Sequence, residues 1–354
     1  MSTVDAVILV GGQGTRLRPL TLSAPKPMLP TAGVPFVEHQ LSRIRAAGIT
    51  HVILGTSYQA STFAGHFGDG SAFGLDLEYV FETEPLGTGG GIRNVASALR
   101  GDTVMIFNGD VLSGVDLGAL LTTHRDNTAD VTLYLTRVLD PRAFGCVPTD
   151  ADGRVTAFLE KDPEPVTDQI NAGTYVFKRE VVEAIPTGRP VSVERETFPQ
   201  LLAGGARVYG HVDTAYWRDL GTPGDFIAGS ADLVRGIAPT DALSGPRGDF
   251  RVLEGAQIAP DARLGGGTVI GRNCIVGAGA VINGSVVFDG ARIEAGARVS
   301  RSAIGRDVVV GELCVVRDAV LGDGCRIGGH NELISEIRIW PNVELPERSV
   351  RFTA

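Results

Sequence analysis

Hydrophobic and polar positions follow one rule up to about residue 236 and a different one after about 252. In the first part, short apolar runs alternate with amphipathic stretches. Residues 7–10, Val-Ile-Leu-Val, form a continuous, mostly β-branched run, the pattern of a buried strand. Residues 35–47 predict a helix, with Pro35 in its first turn and Gly48 after its end, and with Phe36, Gln40, Leu41 and Ile44 keeping one face mostly apolar. Further strands are expected at 51–55, 77–81 and 103–107, the last ending in Asn108-Gly109-Asp110, with a helix at 90–99. This alternation predicts an α/β fold, a Rossmann-like and mostly parallel sheet with ligands beyond the carboxyl ends of its strands. From about 131 to 213 the pattern turns β-rich, with strands expected at 131–137, 154–160, 172–177 and 207–212 as a substrate-binding subregion. Residues 223–235 predict a closing helix.

Beyond a Gly-, Pro- and Asp-rich stretch, apolar residues recur at 252, 258, 264, 270, 276, 282 and 288, a period of six. The register then slips to 293, 299, 304, 310, 316, 321, 327, 333, 339 and 345, mixing fives with sixes. Neither a helix nor an ordinary strand has that period; a hexapeptide β-helix does. One triangular coil cannot bury its own interior, so about five must stack. The expected organisation is a catalytic domain at 1–236, a linker at 237–251 and a β-helix at 252–354, whose simplest role is joining copies into a homo-oligomer.

Composition narrows the class. A net charge of −9 opposes a nucleic-acid partner, which needs a broad basic surface, but allows a local basic pocket for phosphorylated small molecules. No apolar stretch approaches the roughly 18 residues of a membrane span and no leader pattern is visible, so no membrane partner and a cytoplasmic location are expected. The four cysteines show no metal-type spacing and are expected to be small core residues. Lysine occurs only at 26, 161 and 178.

The densest chemistry follows the first strand: Gly11-Gly12-Gln13-Gly14-Thr15-Arg16-Leu17-Arg18-Pro19-Leu20-Thr21, then Pro25-Lys26-Pro27. Glycines turn the chain sharply and present main-chain N–H groups to phosphate oxygens. Arg16 offers a guanidinium fork and Lys26 a compact ammonium. This is not a Walker loop, because no Gly-Lys-Ser/Thr follows Gly14. Nor is it a dinucleotide fingerprint, because Leu17 stands where the third glycine belongs. Asp110 closes a strand, and Asp219 lies in Tyr216-Trp217-Arg218-Asp219-Leu220-Gly221-Thr222; one or two carboxylates with substrate phosphates are the usual way to hold Mg²⁺.

The stretch from 7 to 27 resembles the signature of the sugar-1-phosphate nucleotidyltransferases, and the likeness runs from about residue 5 to the last dozen. Within that family the chain is most similar to the guanylyltransferases specific for mannose 1-phosphate that carry a β-helical tail, which implies GTP and α-D-mannose 1-phosphate as substrates and a left-handed β-helix. The resemblance implies that Gly11, Gly12, Gly14, Thr15, Arg16 and Lys26 bind the nucleotide. It implies that Asp110 and Asp219 meet at the catalytic Mg²⁺, and that Glu160 reaches sugar hydroxyls while Lys161 contacts the sugar phosphate. Asn171 and Gly173 match the family's sugar loop, and Gly145 matches another backbone position close to the sugar. Glu84, Gly87 and Thr88 match the segment that reads base and ribose. One carboxylate at Glu84 suits guanine, whose edge carries two adjacent donors, better than thymine or uracil.

Arg16, Lys26, Asp110 and Lys161 are the expected catalytic groups, positioning and screening two anions for direct attack on the α-phosphorus. Three alternatives stand beside this: a thymidylyl- or uridylyltransferase for glucose 1-phosphate, a non-catalytic nucleotide-sugar-binding regulator, and an acyltransferase in the β-helix using His330.

Overall fold

A computed structural model describes residues 3–57 and 59–352. They form two compact units that ignore chain order: residues up to Gly12 with Gln40–Trp217, and Gln13–His39 with everything from Arg218 on.

The first unit is built on one nine-stranded sheet. Its strands are β1 (Val4–Leu9), β2 (His51–Thr56), β3 (Asp76–Phe81), β4 (Thr103–Asn108), β5 (Val131–Arg137), β6 (Gly145–Cys146), β7 (Leu159–Glu160), β8 (Gln169–Lys178) and β9 (Val208–Val212). Their order is β7-β6-β8-β4-β1-β2-β3, with β5 also on β8 and β9 on β5. Strands β1 to β4 pair in parallel, as expected, while β8 runs antiparallel to both β4 and β5. Val7, Ile53, Ile106, Leu133, Tyr175, Phe177 and Phe198 are buried in one apolar cluster. Asp5 is the buried exception on β1. Its carboxylate accepts from the Arg100 and Gly101 N–H groups at 2.7 Å and meets His51 Nδ1 at 2.8 Å, so the charge is fully engaged.

Two expectations in this unit need correction. The strand expected at 154–160 is formed only at Leu159–Glu160; before it, Arg154 and Val155 make isolated bridges. Thr156 N donates to Pro148 O at 3.0 Å, but Pro148 has no N–H to return, so a continuous ladder stops there. The helix expected at 90–99 instead spans Gly87–Asn94, with a 3₁₀ turn at Ala96–Ala98. Its glycine-rich start packs on the Val191 main chain, and that contact outweighs poor helix propensity.

In the second unit, residues from Phe250 to Leu345 wind into parallel sheets of six, six and five strands, the three faces of a left-handed β-helix. Registers stack Ile270, Val287, Ile304, Leu321 and Ile339 in one inward column. Val276, Ile293, Val310 and Ile327 form the second, and Ile282, Val299 and Val316 the third. The expected inward position 288 is therefore corrected to Val287: the slip from six to five falls one step earlier. Phe288 points outward and packs edge-on against Phe226, with ring centroids 6.4 Å apart. The four cysteines are unpaired and buried, three of them at inner corners of the coils.

The helix Pro223–Arg235 forms as expected, capped by Thr222, whose Oγ1 accepts from Asp225 N. Residues between it and Phe250 are anchored: Ala238 and Leu243 are buried, and Thr240 Oγ1 lies 2.7 Å from His39 Nδ1. His39 Nε2 is 3.0 Å from Thr31 O. Burial, with Arg247 and Arg251 nearby, pulls the His39 pKa from 6.5 to about 4; burial does the same to His124 in the first unit.

A histidine held neutral by the fold protonates more readily once unfolded. The stability involved is present above pH 6.5 and lost as pH falls toward 4, on the order of 3 kcal/mol for His39. Thermal melts of wild type and His39→Gln from pH 7 to 4.5 should show a shallower pH dependence in the variant, although its Tm at pH 7 is lower; equal slopes would contradict this.

Candidate active site

The second unit gathers the signature cations around one carboxylate. Gly14 is left-handed, with φ 57°, and a Cβ there would sit 3.0 Å from side-chain carbons of both Lys26 and Thr21, so any other residue would be strained and crowded. Its carbonyl accepts from Leu17 N at 3.0 Å and Thr21 Oγ1 at 2.9 Å, closing a 3₁₀ turn over Thr15–Leu17. Thr15 and Arg16 are exposed on that turn. A later 3₁₀ turn, Lys26–Met28, carries Lys26, whose Nζ lies 3.9 Å from Asp219 Oδ1. Arg16 reaches the same place: a Cβ on Gly221 would fall 2.8 Å from Arg16 Nη2 and 3.1 Å from Asp219 Oδ1. Arg16, Lys26 and Asp219 therefore converge, and Gly221 is the space that admits them.

The first unit supplies the remaining candidates. Gly109 N donates to Leu9 O at 3.0 Å, and a Cβ on Gly109 would strike that carbonyl at 2.4 Å. This close crossing sets Asp110 just past the end of β4. Gly11 approaches Ser57, whose Oγ donates to Gly11 O at 2.5 Å, while nothing lies within 4 Å of where a Gly12 side chain would be. Glu84 is exposed on the loop after β3.

The segment from Leu86 to Gly90 is stapled to residues 191–194. Gly89 N donates to Val191 O at 2.8 Å, and a Cβ on Gly87, at φ 72°, would hit that same oxygen at 2.6 Å. Thr88 Oγ1 donates to Glu194 Oε2 at 2.7 Å and accepts from Val193 N at 2.9 Å. Glu194 stands on a π-helical turn, Val193–Thr197, the kind of local irregularity that often re-aims a side chain at a functional site.

Across the sheet, β6 and β7 pair Gly145 with Glu160, and a Cβ on Gly145 would lie 2.7 Å from Glu160 Oε2. Burial, and then the Glu194 charge, push the Glu160 carboxyl above the usual range, while Lys161 pulls it back. Lys161 takes a left-handed conformation, φ 54°, with its N–H on Phe144 O at 3.0 Å, and its side chain is exposed. In β8 the register shifts between Asn171 and Tyr175. Asn171 holds that bulge, giving Nδ2 to Tyr175 Oη at 2.8 Å and accepting from Gly173 N at 3.1 Å. Gly173, at φ 74°, leaves room for the Asn108 amide, and Trp217 Nε1 donates to Ala172 O beside it.

Glu194 was not among the sequence candidates. Its one visible trace is Ser192-Val193-Glu194-Arg195-Glu196, in which the Ser192 hydroxyl caps Arg195 N and the Glu196 carboxylate accepts from Ser192 N. That pattern marks a helix start and gives no hint of a contact with Thr88. Among the described residues no group of three or more His, Cys, Asp or Glu side chains gathers as a metal cage. No helix is long and apolar enough to cross a membrane among those residues.

Residues 5–236 match the nucleotidyl transferase family profile, and residues 247–352 match the GMPPB C-terminal domain. The chain belongs to the nucleotidyl transferase family. It is 63% identical to the mannose-1-phosphate guanylyltransferase of Mycobacterium tuberculosis, across 99% of this chain and 98% of that protein. It is 35% identical to mannose-1-phosphate guanylyltransferase 1 of Arabidopsis thaliana, across 75% and 78%. Among solved structures, HddC from Yersinia pseudotuberculosis complexed with GMP-PN superposes with a TM-score of 0.57 at 28% identity, covering 66% of this chain and all of that one.

Because the Glu194 charge is one cause of the raised Glu160 pKa, Glu194→Gln should move the Glu160 titration, followed by carboxyl NMR, to lower pH. An unchanged titration would contradict the placement of these two groups.

Proposed function

We propose that this chain is an enzyme that transfers the guanylyl group of GTP to α-D-mannose 1-phosphate, releasing GDP-mannose and diphosphate. The observation that carries the reading is the 63% identity to a mannose-1-phosphate guanylyltransferase across nearly the whole of both chains. The convergence of Arg16 and Lys26 on Asp219 supports it chemically.

In this reaction an oxygen of the sugar phosphate forms a bond to the α-phosphorus of GTP. The bond from that phosphorus to the bridging oxygen breaks, and diphosphate leaves in line. No protein nucleophile is needed; the obstacle is repulsion between two polyanions. N–H groups of the turn from Gly11 to Thr15 would bind the triphosphate. The emptiness around a Gly12 side-chain position supports this, since the fold does not demand glycine there and a close-lying phosphate would. Arg16 and Lys26 would stabilise the departing diphosphate, and Lys161 the incoming sugar phosphate. Preorganised donors of this kind are worth about 3–4 kcal/mol each.

Asp110 and Asp219 would hold Mg²⁺. The donor set fits: one or two carboxylates, with phosphate and water oxygens completing the shell, are the hard oxygen ligands that Mg²⁺ prefers. When bound, it neutralises phosphate charge at the site of attack.

Glu160, Asn171 and the main chain at Gly145 and Gly173 would bind the sugar, and Glu84 the guanine edge, with Gly87 and Thr88 beside it. Both substrates are highly charged and do not cross membranes unaided, which supports a cytoplasmic enzyme. The β-helix would join copies into a homo-oligomer.

A matrix of nucleoside triphosphates against sugar 1-phosphates, followed by diphosphate release, should give its highest kcat/KM with GTP and mannose 1-phosphate. A preference for dTTP or UTP with glucose 1-phosphate would overturn the assignment. In the same assay Glu84→Gln should reduce discrimination between GTP and UTP. Asp110→Asn should cut turnover by at least about 10²-fold at any Mg²⁺ concentration while leaving the thermal transition in place; near-normal turnover would remove Asp110 from the metal site. Lys161→Ala should raise the KM for mannose 1-phosphate far more than that for GTP, and equal effects on both would count against its role.

A further inference from the structure

The signature loop and the β-helix belong to the same compact unit, and one side chain joins them directly. Arg338, on the strand Arg338–Ile339 near the end of the β-helix, gives Nη1 to Arg16 O at 2.8 Å and to Arg18 O at 3.0 Å. The neighbouring arginines are used differently. Arg235 and Arg301, which line the same groove along the helix Pro223–Arg235, are closed into ion pairs with Asp249 and Asp318. Arg338 alone of these three spends a charged donor on main-chain carbonyls of the loop.

Those two carbonyls matter because of where they lie. Leu17 N and Arg18 N already bond back to Gly14 O and Thr15 O, which fixes the turn from its inner side. Arg338 holds the carbonyls of Arg16 and Arg18, so the backbone from which the Arg16 side chain leaves is tied by a second set of bonds. It also adds a third positive charge beside Arg16 and Arg18, in a chain whose net charge is −9.

We infer that Arg338 is a positioning residue for the nucleotide: through its bonds to the carbonyls of Arg16 and Arg18, the last coils of the β-helix hold the phosphate-binding turn in its working shape. The β-helix then has a part in catalysis within a single chain, apart from any role in assembly. This rests on the reading of the signature loop as the GTP phosphate site.

The test is steady-state kinetics of Arg338→Ala, Arg338→Lys and Arg16→Ala with GTP and mannose 1-phosphate varied separately, and thermal melts alongside. Arg326→Ala is the control; it removes an exposed β-helix arginine that faces Glu344. Arg338→Ala should lower kcat/KM for GTP about tenfold, the value of a charged hydrogen bond to the turn. The KM for mannose 1-phosphate should change less than about twofold, and Arg326→Ala should match wild type. Arg338→Lys, whose ammonium can still bridge two carbonyls, should recover most of the loss.

GTP kinetics within twofold of wild type in Arg338→Ala would overturn the inference, provided Arg16→Ala is strongly impaired. If Arg16→Ala is itself near normal, the loop reading fails first. If Arg338→Ala does not fold, Arg338→Gln, which keeps one neutral donor, decides: a near-normal melt with a loss confined to GTP supports positioning, and GTP kinetics within twofold of wild type overturn it. Equal losses for both substrates with a lowered melting temperature would mean a merely structural role and overturn it.

Discussion

Arg16 is set by shape as much as by charge. Its guanidinium fills the space that any side chain at residue 221 would need, next to the carboxylate of Asp219 two residues earlier. Lys26 approaches the same carboxylate from a turn that Gly14 allows to pack close. Two glycines some two hundred residues apart in sequence thus let two cations and an acid share one small volume. Fixed cations cost no reorganisation when a polyanion arrives, which is the electrostatic economy on which phosphoryl-group chemistry depends.

The surrounding fold makes that volume rigid. Thr222 caps the helix Pro223–Arg235 immediately after Gly221, so the carboxylate strand runs straight into a buried helix. Phe226 on that helix packs against Phe288, and Ala231 lies so close to Gly267 that a Cβ there would be 2.5 Å away. The outward turn of Phe288 is possible because Val287 takes the inward place in the coil. A five-residue side in the β-helix therefore does more than shorten a coil; it frees an aromatic ring to anchor the helix behind Asp219.

Much of this was legible in the chain, and the gaps have physical causes. Continuous apolar runs located β1, β2 and β4, which are buried on both faces, and helical periodicity located Pro223–Arg235. The hexapeptide period identified the β-helix, but Val286-Val287-Phe288 is apolar throughout, and hydropathy alone cannot say which residue faces in. Only register did. The strand at 154–160 was overextended because β-propensity carries no knowledge of its partner, and that partner contained Pro148. For the candidate site, the glycine signature singled out Arg16 and Lys26, and the structure brings both to Asp219. Glu194 escaped notice because its contact with Thr88 joins segments 106 residues apart through a π turn that no local pattern announces.

The most direct measurement of the central claim is a crystal structure with a non-hydrolysable GTP analogue and Mg²⁺. The expected result has triphosphate oxygens on the main-chain N–H groups between Gly11 and Thr15, Arg16 and Lys26 at the β- and γ-phosphates, and the ion between Asp219 and the nucleotide. A nucleotide bound with its phosphates away from Arg16 and Lys26 would contradict it.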